Sequence, residues 1–300
     1  MNSQQKSIYI PNQSTIQQIS CQKAFSNLLP KEKLYSYYFT RACWAGCKIS
    51  YFQRSFESPA LFYLFYRIFE KESPSEIREK LKNNGYTDDE IRNIFVYIGA
   101  VFQNCGNYLS FGDVKFIPEV SKEKFLKFIK ISEAEKKYAD QFNLIWINVE
   151  RSLYEVNPPF WEIGLPDENG LSSYYSTNIT RQNTDLVKNF LKEQGISQLN
   201  TRIIKHNEKE YEVRIASVMA HTKKFVYHND INIVLVYGDF SSFLSQVNFY
   251  LEKILPFVSN EHQSLMITSY IKHFETGDIE IHKESQKHWI SDKGKYKKQY

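Results

Sequence analysis

The sequence predicts an α+β fold, a mainly helical lobe carrying a small, incomplete antiparallel β-sheet or barrel. Helical punctuation fills the first half, two-residue alternation appears near residue 200, and helical periodicity returns after residue 240. Strands and helices are thus segregated along the chain, which argues against an alternating parallel sheet.

Pro30 opens the longest pattern, over residues 30–54, with Leu34, Tyr38, Ala42, Ala45, Ile49 and Phe52 recurring at three- and four-residue steps. Ser58 and Pro59 read as an N-cap and first-turn pair for the aromatic segment 61–69. Ser73, Pro74 and Glu76 form a capping box on a helix that Gly85 ends. Thr87 with Glu90 starts another, carrying Ile91, Ile94, Phe95, Ile98 and Phe102 to Gly106. Four helices on short connections predict an antiparallel bundle. Residues 106–120 break the helical period while keeping Tyr108, Phe111 and Phe116, which marks a loop with something to pack or bind. Helical pattern resumes over 121–154. Pro158, Pro159, Pro166 and Gly170 mark a turn-rich connection, and a helix follows at 185–194. Strands at 201–205 and 211–218 flank a polar turn as a hairpin, with Tyr211, Val213, Ile215 and Ser217 on one face. Residues 232–237, apolar almost throughout, read as a third strand covered on both faces. Helices at 240–257, 261–274 and 278–290 complete the chain. The expected organisation is a helical part over 1–157, a partial sheet region over 158–240, and C-terminal helices with a basic tail over 241–300, all within one partial lobe.

Composition narrows the function classes. With 42% hydrophobic and 24% charged residues, 300 residues can bury a substantial core, and 21 Tyr with 22 Phe require that much ring area be covered. No apolar run approaches the roughly 18 to 20 residues of a membrane span. The first residues lead into Gln and Ser rather than a signal-peptide core, so a cytoplasmic protein without membrane partners is expected. Cys21, Cys43, Cys47 and Cys105 are too few and scattered for a disulfide framework. A net charge of +4, with the only dense basic run at 293–298, does not suit a nucleic-acid reader.

The sequence carries no recognisable catalytic residue and no metal-ligand set. None of the seven histidines has the H-E-x-x-H neighbourhood that places two ligands on one helix face. The nearest approach, His282, Glu284 and His288, sets its two rings six residues apart, on opposite sides of a helix. Cys43 and Cys47 stand one helical turn apart with nothing nearby to complete a tetrahedral set. There is no G-x-S-x-G elbow, P-loop or G-x-G-x-x-G fingerprint. Glu275-Thr276-Gly277-Asp278 resembles the acidic Thr-Gly turn that some ubiquitin-ligase adaptors capture. The preferred reading is structural, Gly277 ending one helix and Asp278 capping the next.

One string is far more specific. Gly106-Asn107-Tyr108-Leu109-Ser110-Phe111-Gly112-Asp113-Val114-Lys115-Phe116-Ile117-Pro118 closely resembles the G-N-Y-x-S-F-G-D-x-K-F-x-P segment of the dipeptidyl peptidase III family. Further blocks agree in order: Cys21-Gln-Lys-Ala-Phe25, Glu32-Lys-Leu-Tyr-Ser-Tyr37, Arg41-Ala-Cys-Trp-Ala-Gly46, Asn200-Thr-Arg202, Tyr211-Glu-Val-Arg-Ile-Ala-Ser217, and Ile279-Glu-Ile-His-Lys283 leading to Trp289-Ile-Ser-Asp-Lys-Gly294. The resemblance implies a two-lobed zinc exopeptidase that releases dipeptides from peptide N-termini across a cleft between its lobes. In that family zinc is held by an H-E-x-x-x-G-H helix and an E-E-x-x-A-E segment, and neither stands in this sequence. An acidic, Tyr-containing stretch that grips the substrate's amino group follows the Asp292-Lys-Gly294 block in the family, where this chain has Lys295-Tyr-Lys-Lys-Gln-Tyr300. The resemblance therefore implies the substrate-side lobe of a partial chain, without a cofactor of its own and inactive alone, with short peptides and the zinc-bearing lobe as partners. Tyr108, Ser110, Phe111 and Trp289 are its implied cleft contacts. Two alternatives stand beside this: Tyr108, Phe111 and Phe116 as core rings, and the chain as a non-catalytic peptide-binding or scaffold lobe.

Overall fold

The computed structural model describes residues 8–13 and 19–292, so the basic run beginning at Lys293 lies outside the described residues. Helices α1 (Gln22–Ser26), α2 (Pro30–Phe52), α3 (Glu57–Lys71), α4 (Pro74–Asn83), α5 (Asp88–Asn104), α6 (Lys122–Ile131), α7 (Glu135–Tyr154) and α8 (Arg181–Glu193) come first. Strands β1 (Thr201–Asn207), β2 (Glu210–Ala216), β3 (Thr222–Tyr227) and β4 (Ile231–Asp239) follow, and α9 (Ser241–Ile254), α10 (Glu261–Thr276) and α11 (Ile279–Ser291) close the order. This is the α+β arrangement expected. Two compact units form, one of Met1–Ile16 with Ser50–Ser173 and one of Gln17–Ile49 with Tyr174–Tyr300.

The first unit is built on α3 to α7. Both predicted capping boxes are present: Glu76 N–H donates to Ser73 Oγ (3.3 Å) while the Glu76 carboxylate accepts from Ser73 N–H (2.7 Å), and Thr87 and Glu90 repeat the exchange. Apolar residues at helical spacing then meet around Phe125. Its ring lies 6.2 Å from Phe65, 5.8 Å from Tyr97, 5.7 Å from Phe128 and 6.1 Å from Trp146. Such pairs add about 0.5–1.5 kcal/mol each beyond their buried area. The pattern over 121–154 proves to be two helices, α6 and α7, parted at Ser132. Ser58 is not an N-cap. Helix α3 starts at Glu57, and the Ser58 hydroxyl, fully buried, donates to Asn107 Oδ1 (3.1 Å).

The expected four-helix bundle does not form, because α2 serves the second unit for most of its length. There its small residues Ala42 and Ala45 pack against Val247, Leu251 and Ile254 of α9 and Met266 and Ile267 of α10.

The sheet in that unit has the order β1-β2-β4-β3 and does not close. The β1–β2 hairpin is antiparallel as predicted, with Tyr211, Val213, Ile215 and Ser217 on its buried face. The expectation of a purely antiparallel sheet is corrected: β4 enters parallel to β2, since the chain crosses to form β3 on the far side before returning. Residues 232–237 accordingly sit inside the sheet. Ile233 and Leu235 are buried while Val234 and Val236 stay partly exposed, so the apolar run marks an interior place in strand order rather than cover on both faces. Helix α8 begins at Arg181, capped by Thr180, and lays Phe190 against Phe225 (5.2 Å) and Tyr227 (5.3 Å).

The two sheet edges differ. Outside β1, Ile203 N–H donates to the Tyr174 carbonyl (2.8 Å), Ser176 N–H to the Ile203 carbonyl (3.1 Å) and Lys205 N–H to Ser176 Oγ (2.9 Å), so residues 174–176 seal that edge. At β3, the register and the Tyr237 N–H bond to the His221 carbonyl (2.9 Å) make Lys223, Phe225 and Tyr227 the partners of β4. By antiparallel alternation the backbone groups of Thr222, Lys224 and Val226 turn to the open side. Among the described residues no helix is long and apolar enough to cross a membrane.

Candidate functional site

Residues 106–118 form a small hairpin pinned to the start of α3. Helix α5 ends on Cys105 in the left-handed region (φ 53°), and Gly106 (φ 149°) turns the chain back. A Cβ at Gly106 would lie 2.2 Å from Ser58 Oγ, so only glycine permits this approach. Asn107, fully buried, then accepts from Ser55 Oγ (2.8 Å) as well as Ser58. Phe116 N–H donates to the Asn107 carbonyl (3.1 Å), Tyr108 bridges Lys115, and Leu109 N–H donates to the Val114 carbonyl (2.9 Å). The turn is Ser110-Phe111-Gly112-Asp113, with Gly112 (φ 95°) and Asp113 (φ 51°) both left-handed.

Its base is charged and dry. Lys115 has no solvent exposure, and its ammonium group donates to the Glu57 carboxylate (3.1 Å) and to the carbonyls of Ser152 (2.5 Å) and Glu155 (3.3 Å). It also lies over the rings of Tyr108 (5.3 Å) and Phe160 (5.2 Å). Burial lowers the Lys115 pKa and the facing Glu57 opposes that shift. Tyr108, likewise fully buried, donates its hydroxyl to the Phe160 carbonyl (2.9 Å), and burial holds its pKa far above the usual phenol range.

The tip is exposed yet braced. Arg54 Nη2 donates to Ser110 Oγ (3.1 Å), Arg54 Nη1 stands 3.5 Å from the Asp113 carboxylate, and Ser110 N–H donates to Asn104 Oδ1 (2.8 Å). Between these fixed points Phe111 is 95% exposed. The structure thus brings Tyr108, Ser110 and Phe111 into one hairpin and divides the rings: Tyr108 and Phe116 belong to the core, Phe111 to the surface. Trp289, 60% exposed in the last turn of α11, belongs to the second unit and not to this hairpin. No sequence pattern marks Arg54 or Asn104 as part of the site. Each stands at the end of a helix, Arg54 two residues past α2 and Asn104 as the last residue of α5, where polar groups commonly reach into neighbouring turns.

Among the described residues no three His, Cys, Asp or Glu side chains come together. The His282 ring lies 5.2 Å from His273, whereas His288 lies 6.1 Å from His262 and 3.9 Å from a Glu284 oxygen, so the two near-motif histidines have different neighbours. The described residues do not fit a catalytic zinc ion, which needs three protein ligands. In the acidic Thr-Gly turn Gly277 ends α10 in the left-handed region, and Asp278 caps α11 by accepting from Glu280 N–H (2.9 Å), the two structural roles expected of them.

A helical and mixed-sheet chain with an aromatic-tipped hairpin, and no metal donor set among its described residues, defines a class only together with its relatives. The profile of peptidase family M49 matches residues 145–296, and the chain belongs to that family. It is similar to the protein named dipeptidyl peptidase 3 in Nematostella vectensis, at 34% identity over 95% of this chain and 42% of the relative. The human protein of that name is 33% identical over 95% of this chain and 40% of its own length, and the Dictyostelium discoideum protein 35% over 94% and 40%. The chain therefore spans about 40% of the length of the curated relatives it matches.

Proposed function

We propose that this chain supplies peptide contacts of a dipeptidyl peptidase and does not itself carry out hydrolysis. One observation carries the reading: Phe111 stands 95% exposed on a turn braced by Arg54 and Asn104, in the segment that resembles the family's peptide-contacting loop. A preorganised aromatic loses little freedom on binding, so covering an apolar peptide side chain with it is favourable. The Ser110 hydroxyl accepts from Arg54 and keeps its own proton to donate to a peptide carbonyl. Trp289, exposed in the last turn of α11, is a peptide contact by the resemblance alone. Metal-dependent hydrolysis requires ligands, an activated water and a base. The described residues bring no such donor set together, so cleavage and the catalytic zinc are assigned to the portion of the relatives that this chain does not match, and a chain bearing that portion is the proposed partner.

The test is calorimetric titration of the full chain with a short unmodified peptide whose second residue is apolar, beside an assay of dipeptide release from a dipeptidyl arylamide with and without added zinc. Binding is expected to weaken roughly tenfold, about 1.4 kcal/mol, in Phe111→Ala with no change in melting temperature. No dipeptide release is expected. Binding indifferent to Phe111→Ala overturns the site, and zinc-dependent turnover overturns the non-catalytic reading.

A further inference from the structure

Helices α10 and α11 of the second unit carry four histidines in two neighbouring pairs, His273 with His282 and His262 with His288. We propose that His273 and His282 form a two-imidazole chelate for a borderline divalent transition-metal ion, Zn²⁺, Ni²⁺ or Cu²⁺. Imidazole is the side chain these ions share as a ligand.

Distance is the first support. A metal–nitrogen bond is about 2.0–2.1 Å, and a ring centroid lies roughly 1.2 Å behind its ligating nitrogen, so two imidazoles at a tetrahedral angle have centroids about 5.3 Å apart. The His273 and His282 centroids are 5.2 Å apart. The His262 and His288 rings, at 6.1 Å, are too far apart, and His288 faces Glu284.

The proton position on His273 is the second. Its Nδ1 lies 2.8 Å from the Asp278 carbonyl oxygen, which can only accept, so Nδ1 carries the hydrogen and Nε2 presents a lone pair. A ring whose far nitrogen donates to a backbone carbonyl is oriented as metal-bound histidines usually are. That carbonyl is itself well held. Gly277, beside it, has φ 77°, and a Cβ there would meet the Ala216 carbonyl oxygen at 2.8 Å. Val218 and Met219 N–H groups donate to the last carbonyls of α10, those of Phe274 (2.8 Å) and Glu275 (2.9 Å).

Access and ligand count define the kind of site. Both rings are half-buried and reachable from solvent. The neighbouring charges are engaged elsewhere, Asp278 on Glu280 N–H, Lys272 with Glu275 and Lys283 with Glu280. Since no third His, Cys, Asp or Glu joins among the described residues, water fills the remaining coordination positions, and the bound ion exchanges readily.

The test uses the full, tag-free chain. Calorimetry with ZnCl₂ and NiCl₂ is expected to show one ion per chain, weakened roughly tenfold or more in His273→Asn and in His282→Asn and unchanged in His262→Asn. In the unaltered chain, substoichiometric Cu²⁺ is expected to broaden the imidazole resonances of His273 and His282 before those of the other five histidines. Absence of a one-site isotherm, undiminished binding in both variants, or broadening centred on His262 and His288 overturns the proposal.

Discussion

A lysine ammonium group with no access to water persists at Lys115 because three oxygens and two ring faces surround it. Such a pair contributes little relative to an apolar substitute, but breaking it is costly, because the remaining charge is left in the core. Lys115→Met is therefore expected to lower unfolding free energy by about 3–5 kcal/mol in urea denaturation. The double variant Lys115→Met/Glu57→Leu is expected to be more stable than Lys115→Met alone, and additive losses would show that the two groups act separately. The buried phenols set an alkaline limit. Burial raises Tyr97 and Tyr108 well above their usual range and Tyr86 to about 12. A folded pKa above the unfolded value of about 10 means that this stabilisation is complete below pH 10 and is lost as pH climbs through the folded value. For Tyr86 that window is about pH 10 to about 12. Tyrosinate absorbance should accordingly rise in part smoothly and in part abruptly with unfolding, and a single smooth titration of all 21 tyrosines would rule out buried rings.

At the scale of elements, Gly106 and Gly85 make a controlled comparison. Both have positive φ, 149° and 82°, but only Gly106 has atoms where a side chain would go. Gly85→Ala should cost about 1 kcal/mol of backbone strain, whereas Gly106→Ala should cost clearly more and also displace the hairpin from Ser58. Equal shifts of melting temperature would mean that the close approach carries no energy. The same elements show what a sequence can reveal. Capping boxes at Ser73 and Thr87 were legible because both partners lie within three residues, and so was the β1–β2 hairpin, whose alternation and turn are local. Ser58 was misread because a Ser-Pro pair suits a helix entrance, while its hydroxyl is claimed by an asparagine 49 positions away. Strand β3 was missed because Lys223 and Lys224 erase the apolar alternation that an edge strand can do without. The string around Phe111 drew notice to the candidate site, but the bracing that makes it rigid comes from Arg54, 56 residues from Ser110, and no local pattern records that.

For the whole molecule the informative feature is the sheet boundary. The strand outside β4 is β3, and among the described residues its outward backbone groups, those of Thr222, Lys224 and Val226, have no strand beside them. Lys223 and Lys224 oppose pairing with a like strand, so association through this edge should grow with protein concentration and with salt. Sedimentation in Val226→Pro checks this. A proline there removes an N–H that β4 does not use, and should abolish association while leaving the fold intact. Association that survives the substitution would place the contact elsewhere. Whatever joins at β3, the opposite flank is already occupied by residues 174–176. Among the described residues the sheet thus offers one open edge and one covered edge, and two copies meeting through β3 would use both of their open edges. Pairing through β3 should therefore stop at a closed pair rather than continue into fibres.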